Sequence, residues 1–154
     1  MKVHSYGILL FRHTADHWQV LLVHPGGPFW AGKDRGAWSI PKGLPDGDEP
    51  ELETARREFR EETGFEVDGK FLELGTLRQA SGKTIHVWAL EGDLDVNRMC
   101  SNTFTLEWPR HSGTYHEYPE IDEGGWFALA EAREKINAGQ VEFLDRLLEQ
   151  LGMA

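Results

Sequence analysis

The sequence has little of several features that would each indicate a particular class of protein. It contains a single cysteine, Cys100, so no disulfide can form within the chain, which is typical of a reducing compartment. The apolar run Gly7–Phe11 is too short for a signal-peptide core, and no run reaches transmembrane length. These absences predict a soluble cytoplasmic protein in which Cys100 is a small buried hydrophobic residue rather than a nucleophile.

Positive charge is also scarce. The chain has 16 Lys and Arg against 26 Asp and Glu, which gives a formal net charge of −10. This acidity argues against a nucleic-acid polymer or an anionic membrane as a partner. A small anionic substrate would need local help from a metal ion and a few cationic side chains. The length of 154 residues predicts one domain, residues 1–154, that can bury a full core; the sequence leaves the oligomeric state open.

Short apolar segments alternate with turn-forming residues along most of the chain. They predict strands at 3–11, 18–23, 38–40, 71–79, 84–90, 103–108 and 126–128, and helices at 129–138 and 141–151. A glycine-rich loop, Pro25–Ala37, separates the second and third of these strands. Strands before and after a central helix, followed by C-terminal helices, predict an α+β fold, in the form of an α/β sandwich.

The central helix follows a glycine-containing turn and begins near Glu49. Asp48 or Glu49 is predicted to cap its first turn, and Gly64 to end it. An apolar stripe of Leu52, Ala55 and Phe59 predicts the face that packs on the core.

Three carboxylates lie on this same helix. Glu58 and Glu62 fall beside the apolar stripe, and Glu61 lies further out. Like charges at such spacing destabilise a helix, and more so near an apolar face where water screens less. A divalent cation would reverse that energy, since Mg²⁺ prefers hard oxygen ligands. An acidic helix neutralised by its own arginines is the alternative interpretation.

The stretch Gly43–Phe65 resembles the Nudix box, the signature of the MutT-like Nudix hydrolases. Its departures are Phe59 and Phe65, which are aromatic where the family usually has aliphatic residues, and both remain apolar. The matching positions, each at the family's spacing, are Gly43, Glu49, Arg57, Glu58, Phe59, Glu61, Glu62, Gly64 and Phe65.

The resemblance implies a Nudix fold, a mixed sheet packed between helices. It implies hydrolysis of a pyrophosphate bond in a nucleoside diphosphate linked to another group, with Mg²⁺ or Mn²⁺ as cofactor. It further implies Glu58 and Glu62 as metal ligands and Glu61 as a third ligand or the catalytic base. Arg57 then orients a carboxylate, and Glu49 either reaches a metal through water or only caps the helix.

Residues outside the helix complete the predicted site. The resemblance implies a backbone carbonyl ligand from Gly43 or its neighbour Lys42. Lys42 and Arg78 are candidates for contacting phosphate, with ordinary surface charges as the alternative. Lys33 and Arg35 in the glycine-rich loop are predicted to bind the substrate, since the rest of the chain is acidic.

An acidic residue outside the box often completes the metal site or acts as base in the family. Glu123 and Glu107 are the candidates here, together with Glu120 and Asp122, each weighed against being part of a solvated loop.

The substrate class stays open among nucleoside triphosphates, dinucleoside polyphosphates and nucleotide sugars. No proline occurs between Phe65 and Trp108 and no tyrosine between Phe65 and Thr114, which disfavours the ADP-ribose and diadenosine-polyphosphate patterns of the family. Two other functions remain: a binding or sensor module without turnover, and an isoprenoid-diphosphate isomerase that would use Cys100.

Overall fold

A computed structural model describes residues 3–152 and shows a mixed six-stranded sheet with helices on both faces. Five strands run in the order β4-β5-β1-β2-β8, with the short β3 paired to β1. β1 and β5 are parallel, and the other pairings of this sheet are antiparallel. The strands of this sheet are β1 His4–Thr14, β2 His17–Pro25, β3 Lys42–Gly43, β4 Leu72–Arg78, β5 Thr84–Glu91 and β8 Ile121–Ala128.

One face of the sheet carries α1, Glu51–Thr63. Alternation along β1 sends Ile8 and Leu10 to this face, where they are fully buried together with Ala55 and Phe59 of α1. Two residues of the predicted apolar stripe, Ala55 and Phe59, are therefore confirmed on the packing face, whereas Leu52 is not part of this cluster. This packing fixes which sides of α1 remain available for its glutamates.

The opposite face is covered by α2, Leu129–Lys135, and α3, Glu142–Gln150. Leu9 and Phe11 of β1 point to this side and pack with Phe143 and Leu147 of α3. The two apolar clusters on either side of one sheet confirm the predicted α+β sandwich. The predicted helix 129–138 is shorter than expected, because the chain becomes extended at Ile136 and then forms a 3₁₀ turn at Ala138–Gln140.

A separate hairpin follows β5, after a 3₁₀ turn at Val96–Arg98. It pairs β6, Thr103–Glu107, with β7, Tyr115–Pro119. The first strand confirms the prediction for 103–108. The second strand is not predicted from the sequence, because its polar sequence YHEYP has little of the apolar alternation that indicates a strand.

Three expectations about local structure are wrong. In the segment 38–40, Trp38 and Ser39 form isolated bridges rather than a strand, and the Ile40 amide donates to the Gln140 side chain instead of to a neighbouring strand. Asp48 and Glu49 do not cap α1, whose N-cap is Pro50 with no side-chain hydrogen bond. Cys100 is exposed rather than buried.

Within residues 3–152, no helix is long and apolar enough to cross a membrane.

Candidate active site

The chain reaches α1 through β3, which lies against β1. Tyr6 pairs with Gly43 and Gly7 with Lys42, and the Ile8 amide donates to the Pro41 carbonyl at 3.2 Å. A Cβ atom on Gly43 would lie 2.1 Å from the carboxyl carbon of Glu58. The absence of a side chain at this glycine is therefore what lets the Glu58 carboxylate lie against the backbone of β3.

The helix ends at Gly64, as predicted. This residue has φ of 81°, in the left-handed region, and its amide donates to the Arg60 carbonyl at 2.7 Å. The following chain is tied back to the same end of the helix, because the Asn102 amide donates to the Glu61 carbonyl at 2.8 Å. The C-terminal turn of α1 is thereby joined to the base of the β6–β7 hairpin.

Arg57 organises the acidic residues around it. Its guanidinium donates to Glu58 at 3.0 Å and to Glu61 at 2.6 Å, and it also pairs with Glu49 at 3.0 Å. The Arg57 hydrogen bonds hold the pKa of Glu49 at about 2. Thr54 donates to the same Glu49 carboxylate at 2.8 Å, so Glu49 anchors the arginine that in turn orients Glu58 and Glu61.

Glu62 lies in a different electrostatic environment. Burial raises its pKa to about 8, and the nearby charge of Glu58 adds to the shift, while Lys42 opposes it. Burial also raises the pKa of Glu58, although Arg57 counteracts this. The two carboxyl groups at i and i+4 thus share a partly desolvated position with too little positive charge to balance both.

These two glutamates line a cavity of ≈ 510 Å³ between α1 and the loop before β3. Lys42 and Gly43 belong to its wall, and Lys42 is the cationic side chain in the lining. Burial lowers the pKa of Lys42, while the charge of Glu62 opposes the change. The remaining lining residues are Val23, Pro25, Trp30, Ala37, Trp38, Ser39, Leu44, Gln79, Glu120, Ile121, Asn137 and Gln140.

The acidic residue that joins this cavity from outside the box is Glu120. Its backbone is fixed on both sides, because its amide donates to the Asn102 carbonyl at 2.8 Å and its carbonyl accepts from the Gly26 amide at 2.9 Å. Burial, followed by the charge of Glu61, raises its pKa. In the sequence, Glu120 is one of four candidates for the acidic residue outside the box, since nothing in the local pattern distinguishes it from its neighbours.

The other acidic candidates lie elsewhere. Glu107 accepts from the amides of His111 and Gly113 at 3.1 Å each, within its own hairpin turn. Asp122 is bonded to His24, and Glu123 lines a separate cavity with it. The structure therefore does not bring Glu107, Asp122 or Glu123 to the wall formed by Glu58 and Glu62.

Of the four cationic residues predicted to contact the substrate, the structure places only Lys42 at this cavity. Lys42 lines the cavity, whereas the exposed Arg78 and Arg35 do not. Lys33 places its ammonium over the ring of Phe29 at 3.9 Å and lines the neighbouring cavity instead. Glu61 also lies outside the cavity lining, with its carboxylate held by Arg57.

Several amide side chains at the site were not anticipated. Gln140 is 2% exposed; it accepts from the Ile40 amide at 2.9 Å and donates to the Ser39 hydroxyl at 3.0 Å. Asn137 and Gln79 line the same wall. No sequence signal could have found them, because their position depends on how the chain after α2 returns to the segment before β3.

Within residues 3–152, no three His, Cys, Asp or Glu side chains lie close enough together to hold a metal ion as positioned. The donor set nevertheless fits a hard divalent cation. The Glu58 carboxylate lies against Gly43, and Glu62 lies at the backbone of Lys42, where burial and the charge of Glu58 raise its pKa.

The raised pKa of Glu62 predicts how the stability of the metal-free protein depends on pH. Below the ordinary carboxyl pKa of 4.5, both folded and unfolded states are protonated at this group and it contributes nothing. Between 4.5 and about 8, the unfolded chain ionises while the folded chain retains the proton, so stability falls as pH rises. We expect Glu62→Gln to stabilise the metal-free protein at pH 9 by about 1–3 kcal/mol and to leave it nearly unchanged at pH 4.

Denaturant unfolding in EDTA at the two pH values measures this effect, with the exposed Glu66→Gln as matched control. Saturating Mg²⁺ should remove the advantage of the variant at pH 9, because a bound cation stabilises only the wild-type carboxylate. Equal stability of Glu62→Gln and wild type in EDTA at pH 9 would mean that Glu62 is fully solvated.

The family model of the NUDIX domain matches residues 1–147. No curated protein matches the sequence significantly. Among solved structures, a C. elegans Ap4A hydrolase binary complex is 22% identical over 96% of this chain and 98% of that one, with a TM-score of 0.68.

Two further structures illustrate how widely this fold is used. The NUDIX domain of Shewanella oneidensis NrtR, complexed with ADP ribose, is 18% identical, covers 98% of this chain and 89% of that one, and has a TM-score of 0.67. A mutT/nudix family protein from Listeria innocua is 15% identical over 97% and 94% of the two chains, with a TM-score of 0.64. At these identities the likeness is one of fold, and together with the match across residues 1–147 it establishes that this chain belongs to the NUDIX family.

Proposed function

We propose that this protein hydrolyses the pyrophosphate bond of a nucleoside diphosphate linked to another group, with Mg²⁺ or Mn²⁺ as cofactor. The observation that carries the proposal is the shared cavity of Glu58, Glu62 and Glu120, with Lys42 beside them. Three carboxylates around one lysine would repel an anionic substrate by themselves. A divalent cation held by Glu58 and Glu62 would offset this charge and let phosphate oxygens bind at the cavity.

Glu58, Glu62 and the carbonyl of Gly43 are the residues that would hold the cation. When bound there, a divalent cation supplies positive charge to the phosphate oxygens and makes water a stronger nucleophile. Arg57 keeps the Glu58 carboxylate in position through a 3.0 Å hydrogen bond, and the absence of a side chain at Gly43 leaves it room. These contacts are set before any substrate binds, as electrostatic stabilisation of phosphoryl transfer requires.

Glu120 is the residue that we assign as general base. It lies at the cavity wall, and its raised pKa makes its ionised form a better proton acceptor than an ordinary surface carboxylate. Hydrogen bonds of its backbone to Asn102 and Gly26 keep the residue at this wall. Glu61, the earlier candidate, is bonded to Arg57 at 2.6 Å and is better suited to orienting that arginine.

The rest of the cavity suits the organic part of a nucleotide. Lys42 can contact a phosphate oxygen at the carboxylate end. Trp30, together with the apolar side chains of Pro25 and Ile121, offers a surface on which a base can stack. The cavity of ≈ 510 Å³ has the size of a site for one nucleotide-sized ligand.

The two alternatives are less well supported. An isomerase would need a reactive cysteine at the reaction centre, and Cys100 is exposed and outside the cavity lining. A sensor module binds a nucleotide without hydrolysing it and can function without the metal-binding carboxylates. It would therefore not require Glu58, Glu62 and Glu120 at one cavity.

Hydrolysis of a panel of substrates, each with Mg²⁺ and with Mn²⁺, tests the proposal. The panel contains nucleoside triphosphates, dinucleoside tetraphosphates, ADP-ribose and nucleotide sugars, and products are separated by ion-exchange chromatography. Metal-dependent cleavage of at least one compound at a phosphorus–oxygen–phosphorus bridge supports the proposal. Tight binding of a panel member without cleavage would favour the sensor module.

A further inference from the structure

His24 is a buried histidine of β2 that the proposed reaction does not use. It is 7% exposed, and its ring packs edge-on against Trp38 with 5.2 Å between ring centroids. Its Nδ1 lies 2.8 Å from a carboxylate oxygen of Asp122, and its Nε2 lies 2.6 Å from the backbone carbonyl oxygen of Lys33. The ring therefore joins β8 to the glycine-rich loop Pro25–Ala37.

Both partners of His24 can only accept a hydrogen bond. The ionised carboxylate of Asp122 has no proton to donate, and neither has a backbone carbonyl. A neutral imidazole has one N–H group and can satisfy only one of them. Making both hydrogen bonds at once requires protons on both ring nitrogens, so the geometry selects the imidazolium form.

Other charges around the ring come from three elements. Glu123 of β8 is the strand partner of His24, and the loop contributes Lys33 and Asp34. Asp34 is in turn paired with Lys135 of α2 at 2.5 Å. With Asp122 included, these groups carry three negative and two positive charges.

The carbonyl that His24 holds belongs to a turn that carries Trp30. The Lys33 amide donates to the Trp30 carbonyl at 3.0 Å, and the Lys33 ammonium lies over the rings of Phe29 at 3.9 Å and Trp30 at 5.4 Å. Trp30 lines the cavity that contains Glu58 and Glu62. Fixing the Lys33 carbonyl therefore fixes the turn that places an aromatic ring at the cavity wall.

We propose that His24 is a positioning residue: as an imidazolium it ties Lys33 to Asp122 and thereby holds Trp30 where the base of the substrate stacks. The proposal rests on the proposed function, because it takes this cavity as the substrate site. His24 touches no reacting atom, so its loss weakens substrate binding and leaves the chemical step intact. We therefore expect substitution of His24 to raise KM and to leave kcat unchanged.

A double-mutant cycle tests the route through Trp30. The two N–H groups of a glutamine amide lie on a single nitrogen and cannot replace donors on both ring nitrogens. We therefore expect His24→Gln to raise KM about 5- to 10-fold with kcat within about twofold. Trp30→Ala should raise KM similarly, and the double variant should bind no worse than Trp30→Ala alone. The control is His17→Gln, at an exposed histidine of the same strand, which should match wild type.

Asp122→Asn is a conservative variant that distinguishes a positioning role of His24 from a purely structural role. The asparagine can donate to Nδ1, so a neutral ring can accept there and still donate to the Lys33 carbonyl. We expect this variant to keep a KM near that of wild type. Additive effects of His24→Gln and Trp30→Ala on KM, or a KM for Asp122→Asn as high as that for His24→Gln, would overturn the proposal.

Two measurements stay informative even if no substrate is found. Nitrogen-15 NMR of the ring, assigned by its loss in His24→Gln, should show two protonated nitrogens in wild type at pH 7 and one in Asp122→Asn. Exchange of the Lys33 amide should be at least about tenfold faster in His24→Gln than in wild type. A single protonated nitrogen in wild type, or unchanged exchange, would contradict the role of His24 independently of the proposed hydrolysis.

Discussion

Glu58→Gln and Glu62→Gln should each lower kcat by about 100-fold or more while the protein remains folded. Each change removes a negative charge from the pair of carboxylates that line the cavity and replaces it with an amide of nearly equal size. Glutamine is a weak ligand for a hard cation, so the stabilisation of charge on the phosphate oxygens is lost. Steady-state rates at saturating Mg²⁺, with circular dichroism as the check on folding, measure the effect.

The matched control is Glu53→Gln, which removes an exposed carboxylate from the same helix. Its rate should stay within about twofold of wild type, since surface charges of this kind contribute little. Rates near wild type in both Glu58→Gln and Glu62→Gln would show that α1 is only a solvated acidic helix. The arginine network around Arg57 would then be a structural feature and nothing more.

Glu120→Gln should lower kcat by about 10²- to 10⁴-fold and leave KM close to the wild-type value. The residue is assigned to the proton transfer and not to substrate binding, so the amide can still occupy its place at the cavity wall. Because the pKa of Glu120 is raised, wild-type kcat should increase with pH until this group is ionised. The variant should lose that increase, which a pH profile of kcat would show.

Two carboxylates outside the cavity lining provide the controls for Glu120→Gln. Glu123→Gln and Glu107→Gln should both retain kcat within about threefold, because neither side chain lines the cavity. A larger loss in Glu123→Gln than in Glu120→Gln would mean that the loop before β8 rearranges when substrate binds. The assignment of the base to Glu120 would then be wrong.

The sequence was most informative where function depends on neighbouring positions of one helix. Spacing alone placed Glu58 and Glu62 beside the apolar face that Phe59 buries, and the structure has them at one cavity. Gly64 ends α1 in the left-handed conformation that a glycine favours. Such features follow from the helical repeat and from backbone stereochemistry, both of which a sequence expresses directly.

Features that depend on long-range pairing were much harder to predict. Glu120 reaches the cavity because Asn102 and Gly26 hold its backbone, and these contacts join segments far apart in the chain. The Gln140 side chain accepts the hydrogen bond of the Ile40 amide that the backbone of a neighbouring strand would otherwise accept. The periodicity of the sequence cannot reveal such a contact. The predicted capping of α1 by Glu49 is wrong because the Glu49 carboxylate accepts hydrogen bonds from Arg57, eight residues later, and none from the first turn's backbone as a helix cap.

The most direct test of the proposed reaction is the fate of oxygen from water. A substrate identified from the panel is hydrolysed to completion in ¹⁸O-enriched water with Mg²⁺, and the products are analysed by ³¹P NMR and mass spectrometry. Metal-assisted attack of water on phosphorus places one ¹⁸O atom on the phosphate of one product from each cleaved bridge, and excess EDTA should abolish cleavage. Full turnover in EDTA, or products without ¹⁸O on phosphorus, would contradict metal-assisted attack of water on the pyrophosphate.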